Sequence, residues 1–209
     1  MGDQSLDLVV VVADNNMEST LATLLAKRRE SLGIRDIRWK RIVLRFDSSC
    51  LQKAPEFLRS YVRTSGHALV LFDRDGCGRE DLAREEIERS VEEQLTRAGW
   101  DDRARVVVLD PELEVWVWSD SPHVAAVLGW DAGGESVREW LKSKGYAFHD
   151  NGKPERPKEA MEAALRHAPK NRSSARYAEL ARKVSLKQCS DPAFLKLKQT
   201  LQTWFPPSA

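Results

Sequence analysis

Residues 67–76 read His67-Ala68-Leu69-Val70-Leu71-Phe72-Asp73-Arg74-Asp75-Gly76. A short, continuous apolar run with no polar alternation suits a strand buried on both faces of a parallel sheet. It stops abruptly at two carboxylates spaced i, i+2, which can leave a strand end on the same side. Working outward, residues 6–13 form a similar run, with four successive valines, broken by Asp14-Asn15-Asn16. Residues 37–46 alternate apolar and basic side chains, as expected of a strand nearer the edge of a sheet. Residues 104–109 form a fourth apolar run, again ending in a carboxylate, Asp110, before Pro111.

Helical patterns separate these runs. Leu21, Leu24, Leu25 and Leu32 recur at helical spacing, Asn15 and Glu18 have capping-box spacing, and Gly33 is a stop signal. Residues 55–64 predict a short helix opened by Pro55. Residues 79–97 predict a long charged helix with Leu82, Ile87, Val91 and Leu95 facing inward. Strands alternating with helices give an α/β fold, a mostly parallel sheet flanked by helices, over residues 1–120. Beyond Asp120 the pattern becomes helical, at 121–128, 135–144, 157–167, 174–184 and 192–205. The Gly133-Gly134 pair and residues 150–154 mark breaks, so residues 121–209 predict a helical C-terminal lobe.

Composition narrows the classes. The chain has 209 residues, 33 Lys and Arg against 32 Asp and Glu, 42% hydrophobic and 31% charged residues. That balance excludes a disordered acidic tail, a collagen-like repeat and a polybasic arm as descriptions of the whole. The longest strictly apolar run, residues 8–13, is far short of the roughly 18 residues of a membrane span. Met-Gly-Asp-Gln-Ser at the start carries no secretory pattern. Cys50, Cys77 and Cys189 are scattered without a CxxC, which argues against a disulfide framework or a zinc ribbon and for the cytoplasm. The near-neutral total hides an asymmetry. Residues 151–209 hold 12 basic against 5 acidic groups, and residues 1–150 hold 21 against 27. The back of the chain is basic and the front acidic.

Open α/β sheets bind ligands at the C-terminal ends of their strands. Asp14, Asp73, Asp75 and Asp110 would all emerge along that rim, where they repel one another unless a cation sits between them. Hard carboxylate oxygens suit Mg²⁺ or Mn²⁺. A calcium loop starting at Asp73 is excluded, because its twelfth position is Arg84 and a strand precedes it. A phosphatase of the haloacid dehalogenase type also carries two such aspartates after a strand, but has a Thr or Val where this chain has Cys77. It stands as a minor alternative. No histidine has a partner at metal or triad spacing, and GxSxG, P-loop and GxGxxG motifs are absent.

Over roughly residues 6–120 the chain resembles Toprim-fold proteins. Asp73 and Asp75 match their paired acids. The segment Asp110-Pro111-Glu112-Leu113-Glu114-Val115-Trp116 resembles the Pro-Glu-x-Glu-x-Trp segment of small bacterial Toprim-like proteins associated with anti-phage defence. Pro157-Lys158-Glu159-Ala160 and Asp191-Pro192-Ala193-Phe194 resemble the tail of the same group. The resemblance implies a Mg²⁺- or Mn²⁺-dependent nuclease acting on nucleic-acid phosphodiesters in an antiviral defence system, with defence-system protein partners. Asp73 and Asp75 would hold the metal, Asp14 would complete its shell or act as base, and Glu114 would be auxiliary. The first motif departs from the pattern: the group has Glu-Gly after strand one, and this chain has Ala13-Asp14-Asn15. That departure opens the alternative of a catalytically degenerate nucleic-acid sensor or complex subunit.

Two further expectations concern the ends of this pattern. Trp116 and Trp118 lie outside any basic cluster and read as core. Lys170, Arg172, Arg176 and Lys183, mixed with hydroxyls and Tyr177, suit contacts to the phosphates of DNA or RNA without sequence reading.

Overall fold

The computed structural model describes residues 5–119, 121–130, 134–187 and 189–207; Asp120, where the sequence divides, and Gly133 of the glycine pair lie outside them. Four strands, β1 (Leu6–Val12), β2 (Trp39–Val43), β3 (Ser65–Asp73) and β4 (Ala104–Leu109), lie side by side in the order β2-β1-β3-β4, and every pairing is parallel. The two most apolar runs take the two central positions. Residues 8–12 and 68–72 are at most 1% exposed, because helices cover both faces of the sheet there. The basic alternating strand, β2, lies at one edge.

The chain runs from β1 outward to β2, then back past β1 to β3 and on to β4. Right-handed crossovers therefore place α1 (Asn15–Lys27) on one face, and α3 (Asp47–Leu58) and α4 (Arg84–Leu95) on the other. α3 packs on β1, β3 and α4, and α4 on β4. A short α2 (Arg29–Leu32) follows α1 and ends at Gly33, which is left-handed at φ 73°.

Three helix starts differ from expectation, each for a local reason. Asp14 caps α1, its Oδ1 accepting the Met17 N–H at 2.8 Å, so the Asn15–Glu18 capping box does not form. Glu18 turns instead to Arg41 of β2 (2.9 Å). α3 begins at Asp47, well before Pro55, because Cys50, Ala54 and Leu58 form a buried stripe at i, i+4 spacing. Burial of that stripe outweighs the one backbone hydrogen bond that Pro55 removes. α4 begins at Arg84 because the Glu86 carboxylate accepts the Ala83 N–H (3.1 Å) and starts the helix there.

β4 is the other edge strand, and its free amides are closed off from within. The N–H groups of Val106 and Val108 donate to Glu92 and Glu88 of α4, each at 2.9 Å. Lys196 then pairs with both glutamates, at 2.9 and 3.1 Å. Carboxylates thus take the place of a fifth strand.

Lys196 belongs to α9 (Pro192–Trp204), one of five helices among the described residues in the second part of the chain. The others are α5 (Pro122–Leu128), α6 (Val137–Ser143), α7 (Pro157–His167) and α8 (Ser174–Lys183). α8 packs along α1, and Arg28 donates to the carbonyls of Ala181, Arg182 and Val184 at 2.7–3.0 Å, capping the end of α8. α9 packs on β4 and α2; Trp204 stacks on His67 at 4.4 Å, and Gln202 donates to the Leu32 carbonyl. Buried residues from both parts of the chain form one hydrophobic cluster. Among the described residues no helix is long and apolar enough to cross a membrane.

Two outcomes follow from these contacts. Glu88→Ala leaves the buried Val108 N–H without an acceptor and Lys196 with one partner fewer. Urea unfolding should show a loss of about 2–3 kcal/mol with an unchanged m-value. At the other end of the sheet, Asp7 accepts the Arg38 N–H (2.7 Å) and an Arg35 guanidinium N–H (2.8 Å). Burial alone would raise its pKa, but these partners outweigh burial and hold the carboxyl below its ordinary 3.8. A depressed pKa contributes stability above the unfolded-state value and loses it as pH falls through the folded value. Asp7→Asn should therefore destabilise by about 1 kcal/mol at pH 7. The gap from wild type should close below pH 3.8, as thermal unfolding across a pH series would show.

Candidate metal centre

The reversal of direction between β1 and β3 makes their C-terminal ends a topological switch point, the usual ligand crevice of an open α/β sheet. Val12 is opposite Leu71 and Asp73 is opposite Leu109, so Asp14 and Asp73 leave neighbouring strands at that crevice. The Arg74 N–H still bonds β4, at the Leu109 carbonyl (2.8 Å). The Asp73 N–H points the other way, toward β1, which has already ended. The carboxylate of Asp47, at the start of α3, accepts it at 2.8 Å. Asp73 in turn uses its own Oδ1 to accept the Leu113 N–H at 2.9 Å.

That last bond brings in the segment after β4. Glu112 is extended, and Leu113–Trp116 form a tight 3₁₀ turn. The turn presents Glu112 and Glu114 on the inner side, 4% and 1% exposed. One carboxylate oxygen from each of Asp73, Glu112 and Glu114 lies within 4.8 Å of the others. Two of the three acids have cationic partners from the second part of the chain. At the start of α7, the Lys158 N–H donates to Glu112 at 2.8 Å, and its ammonium lies 3.7 Å away. Glu114 accepts from Arg172 (2.6 Å) and from the Tyr177 hydroxyl, which itself accepts from Arg172 Nε.

The charge does not balance. Three carboxylates face two cations, and Asp47 and Asp14 add to the negative side. Burial, reinforced by Asp47, Glu114, Glu112 and Asp14, pushes the Asp73 carboxyl well above its usual range. Burial and the neighbouring Glu114 raise Glu112 to about 7, against the opposing pull of Lys158. Burial also raises Asp47, with Asp14 adding to it. Burial and the Glu114 charge raise the Tyr177 hydroxyl, so it stays protonated and remains a donor.

The donor set fits a hard divalent cation. All the convergent groups are carboxylates, the hard oxygen ligands that Mg²⁺ and Mn²⁺ take. Asp73, Glu112 and Glu114 would hold such an ion. Among the described residues no other group of three acids, histidines or cysteines converges in this way.

Of the residues singled out from sequence, the structure therefore brings Asp73 and Glu114 together. Asp14 lies at the same rim but uses one oxygen as the α1 cap. Asp75 is exposed, held by its backbone to the Pro111 carbonyl (3.0 Å), and its carboxylate is outside the group of three. Asp110 pairs with Arg74 at 3.2 Å. Among the basic residues, Arg172 turns inward to Glu114. Arg176 donates to the carbonyls of Val127 (2.5 Å) and Asn171 (2.7 Å), and Lys183 pairs with Glu179 (2.6 Å). Lys170 is exposed and lies along Gly129. Trp118 is buried in the core, its ring N–H donating to the Pro157 carbonyl, whereas Trp116 is half-buried against the core with its ring N–H on Asp191.

Glu112, Asp47 and Lys158 were not singled out as site residues. Glu112 carried a signal, since it precedes Glu114 in the quoted Pro-Glu-x-Glu segment. Asp47 carried none, because an acid in the first turn of a helix is ordinary.

Comparison with known protein families, with characterised proteins and with solved structures finds no match to this chain. The fold and the site by themselves define a parallel α/β protein with a carboxylate centre at the switch point of its sheet.

Arg172→Ala would strand Glu114 as a buried charge without its guanidinium, a change that typically costs about 3–5 kcal/mol. Adding Glu114→Gln should recover a large part of that loss, because the charge that needed a partner is gone. Chemical unfolding of both single variants and the double variant tests this coupling.

Proposed function

We propose that the chain is a Toprim-like protein that binds Mg²⁺ or Mn²⁺ and acts on nucleic-acid phosphodiesters. One observation carries the reading: three carboxyl groups, Asp73, Glu112 and Glu114, converge at the switch point against the two cations Lys158 and Arg172. A divalent cation there would supply positive charge to a phosphoryl oxygen. The chain's own groups prepare the place for it. Lys158 fixes Glu112, Arg172 and Tyr177 fix Glu114, and the Leu113 N–H fixes one oxygen of Asp73. The ligands are thus oriented before anything binds, which lowers the reorganisation that binding requires. The free thiols of Cys50, Cys77 and Cys189 suit the reducing cytoplasm, which forms part of the same proposal.

A second reading, binding without cleavage, is favoured by Asp14. It is the acid nearest the first Toprim motif, and its Oδ1 is taken by the Met17 N–H. A base at that position would have to use the other oxygen.

The test is Mn²⁺ calorimetry on the wild type and on Asp73→Asn with Glu112→Gln. The wild type should bind, and the double variant should lose at least tenfold in affinity. Equal affinities would remove the metal from the proposal. Incubating both proteins with Mn²⁺ and plasmid, single-stranded DNA or RNA then separates the two readings. Cleavage by the wild type alone supports an enzyme, whereas binding of the strand intact supports the non-cutting form.

A further inference from the structure

The acidic front of the chain contains one strongly basic stretch. Residues 27–46 hold eight Lys and Arg against two acids, and they run into the edge strand β2. Lys40 and Arg41 project from β2 on its two faces: Lys40 over the Tyr61 ring (5.1 Å), Arg41 toward Glu18 (2.9 Å). Arg45 follows the strand. It is exposed, and among the described residues it has no ion-pair partner. Its backbone is left-handed, at φ 70°, a conformation that non-glycine residues rarely adopt.

That turn sets the next residue outward. Phe46 is 66% exposed, the most exposed of the large hydrophobic side chains among the described residues, and no aromatic ring there packs on it. It is also adjacent to the candidate metal centre. The following residue, Asp47, bonds the Asp73 N–H, and Asp47 Oδ2 would lie 3.7 Å from a β-carbon at Gly76. An apolar ring held open to water beside a carboxylate centre, at the end of a basic edge strand, has no use in the core of this fold.

We infer that β2 and the turn after it form a path for single-stranded nucleic acid, with Arg45 on a phosphate and an unpaired base stacked on Phe46. This rests on the reading of the acidic rim as a phosphodiester site and adds the substrate form. Aromatic rings stack on any base whose face is free, whereas a duplex keeps those faces within its own stack. Cations along an exposed strand track the backbone of such a ligand without reading its sequence.

The probes are fluorescein-labelled dT12, U12 and a DNA duplex, titrated by anisotropy with Ca²⁺ in place of Mg²⁺ and again in EDTA. Phe46→Ala should weaken binding of dT12, U12 or both by about 5- to 100-fold, the range of one lost base stack, and leave the duplex unaffected. Phe46→Trp should keep wild-type affinity. Arg45→Gln should flatten the salt dependence on the single strand by about 0.7 in log–log slope. Phe46 is exposed, so circular dichroism of Phe46→Ala should match wild type. If wild type binds nucleic acid and Phe46→Ala binds single strands equally well, or weakens on duplex to the same degree, the stacking inference falls while the rim proposal stands. If wild type binds none of the probes in either buffer, both fall.

Discussion

Asp73 is the residue on which the rest of the site hangs. It is the last residue of a central strand, so its N–H faces a neighbour strand that has already ended, and Asp47 must take that strand's place. Its carboxylate then holds the amide that starts the turn after β4. A single residue thus ties the end of β3, the start of α3 and the segment carrying Glu112 and Glu114. The arrangement follows from the topology. In a parallel sheet all C-terminal ends lie on one rim, so the acids that end separate strands become neighbours.

Crowding acids in this way is costly, and the second part of the chain offsets much of it. Lys158 comes from the start of α7, Arg172 from the loop before α8, and Tyr177 from α8 itself. Without them Glu112 and Glu114 would be buried carboxylates with no cation or hydroxyl, a condition that normally ends in protonation or unfolding. Arg28 reaches in the opposite direction, from the end of α1 to the carbonyls that end α8. The basic excess of residues 151–209 is therefore spent in part inside the protein. A separate cationic edge lies in the front part of the chain, where Lys40 and Arg41 project from β2 and Arg45 follows it.

The two edges of the sheet are managed by opposite means. β4 is sealed by Glu88 and Glu92, backed by Lys196, which removes its amides from reach of another strand. β2 is left open but carries Lys and Arg on both faces, and charge discourages pairing with a second chain. The sealed edge is a stability feature.

Much of the fold was legible because it rests on local chemistry. Unbroken apolar runs at residues 8–13 and 68–72 can only be satisfied by burial on both faces, and alternating charge at 37–46 only by an edge. Those patterns determine a mostly parallel α/β sheet with deeply buried strands and one basic strand toward an edge. Asp73 was legible for the same reason, as the acid that stops a buried run, and Glu114 through the segment that carries it. Asp75 has the same local signature as Asp73, yet it stands outside the carboxylate group, because the turn after β3 sends successive side chains to different places. Asp47 and Lys158 have no local signature at all. Each is placed by a hydrogen bond to a residue tens of positions away, and Arg172 looked like a surface cation until the packing of α8 on α1 brought it to Glu114. The sequence alone determined which residues had to be buried and that the alternating basic strand had to lie toward an edge. Only the tertiary structure decided which charges meet, because electrostatic partners are set by distance in space and leave no periodic trace along the chain.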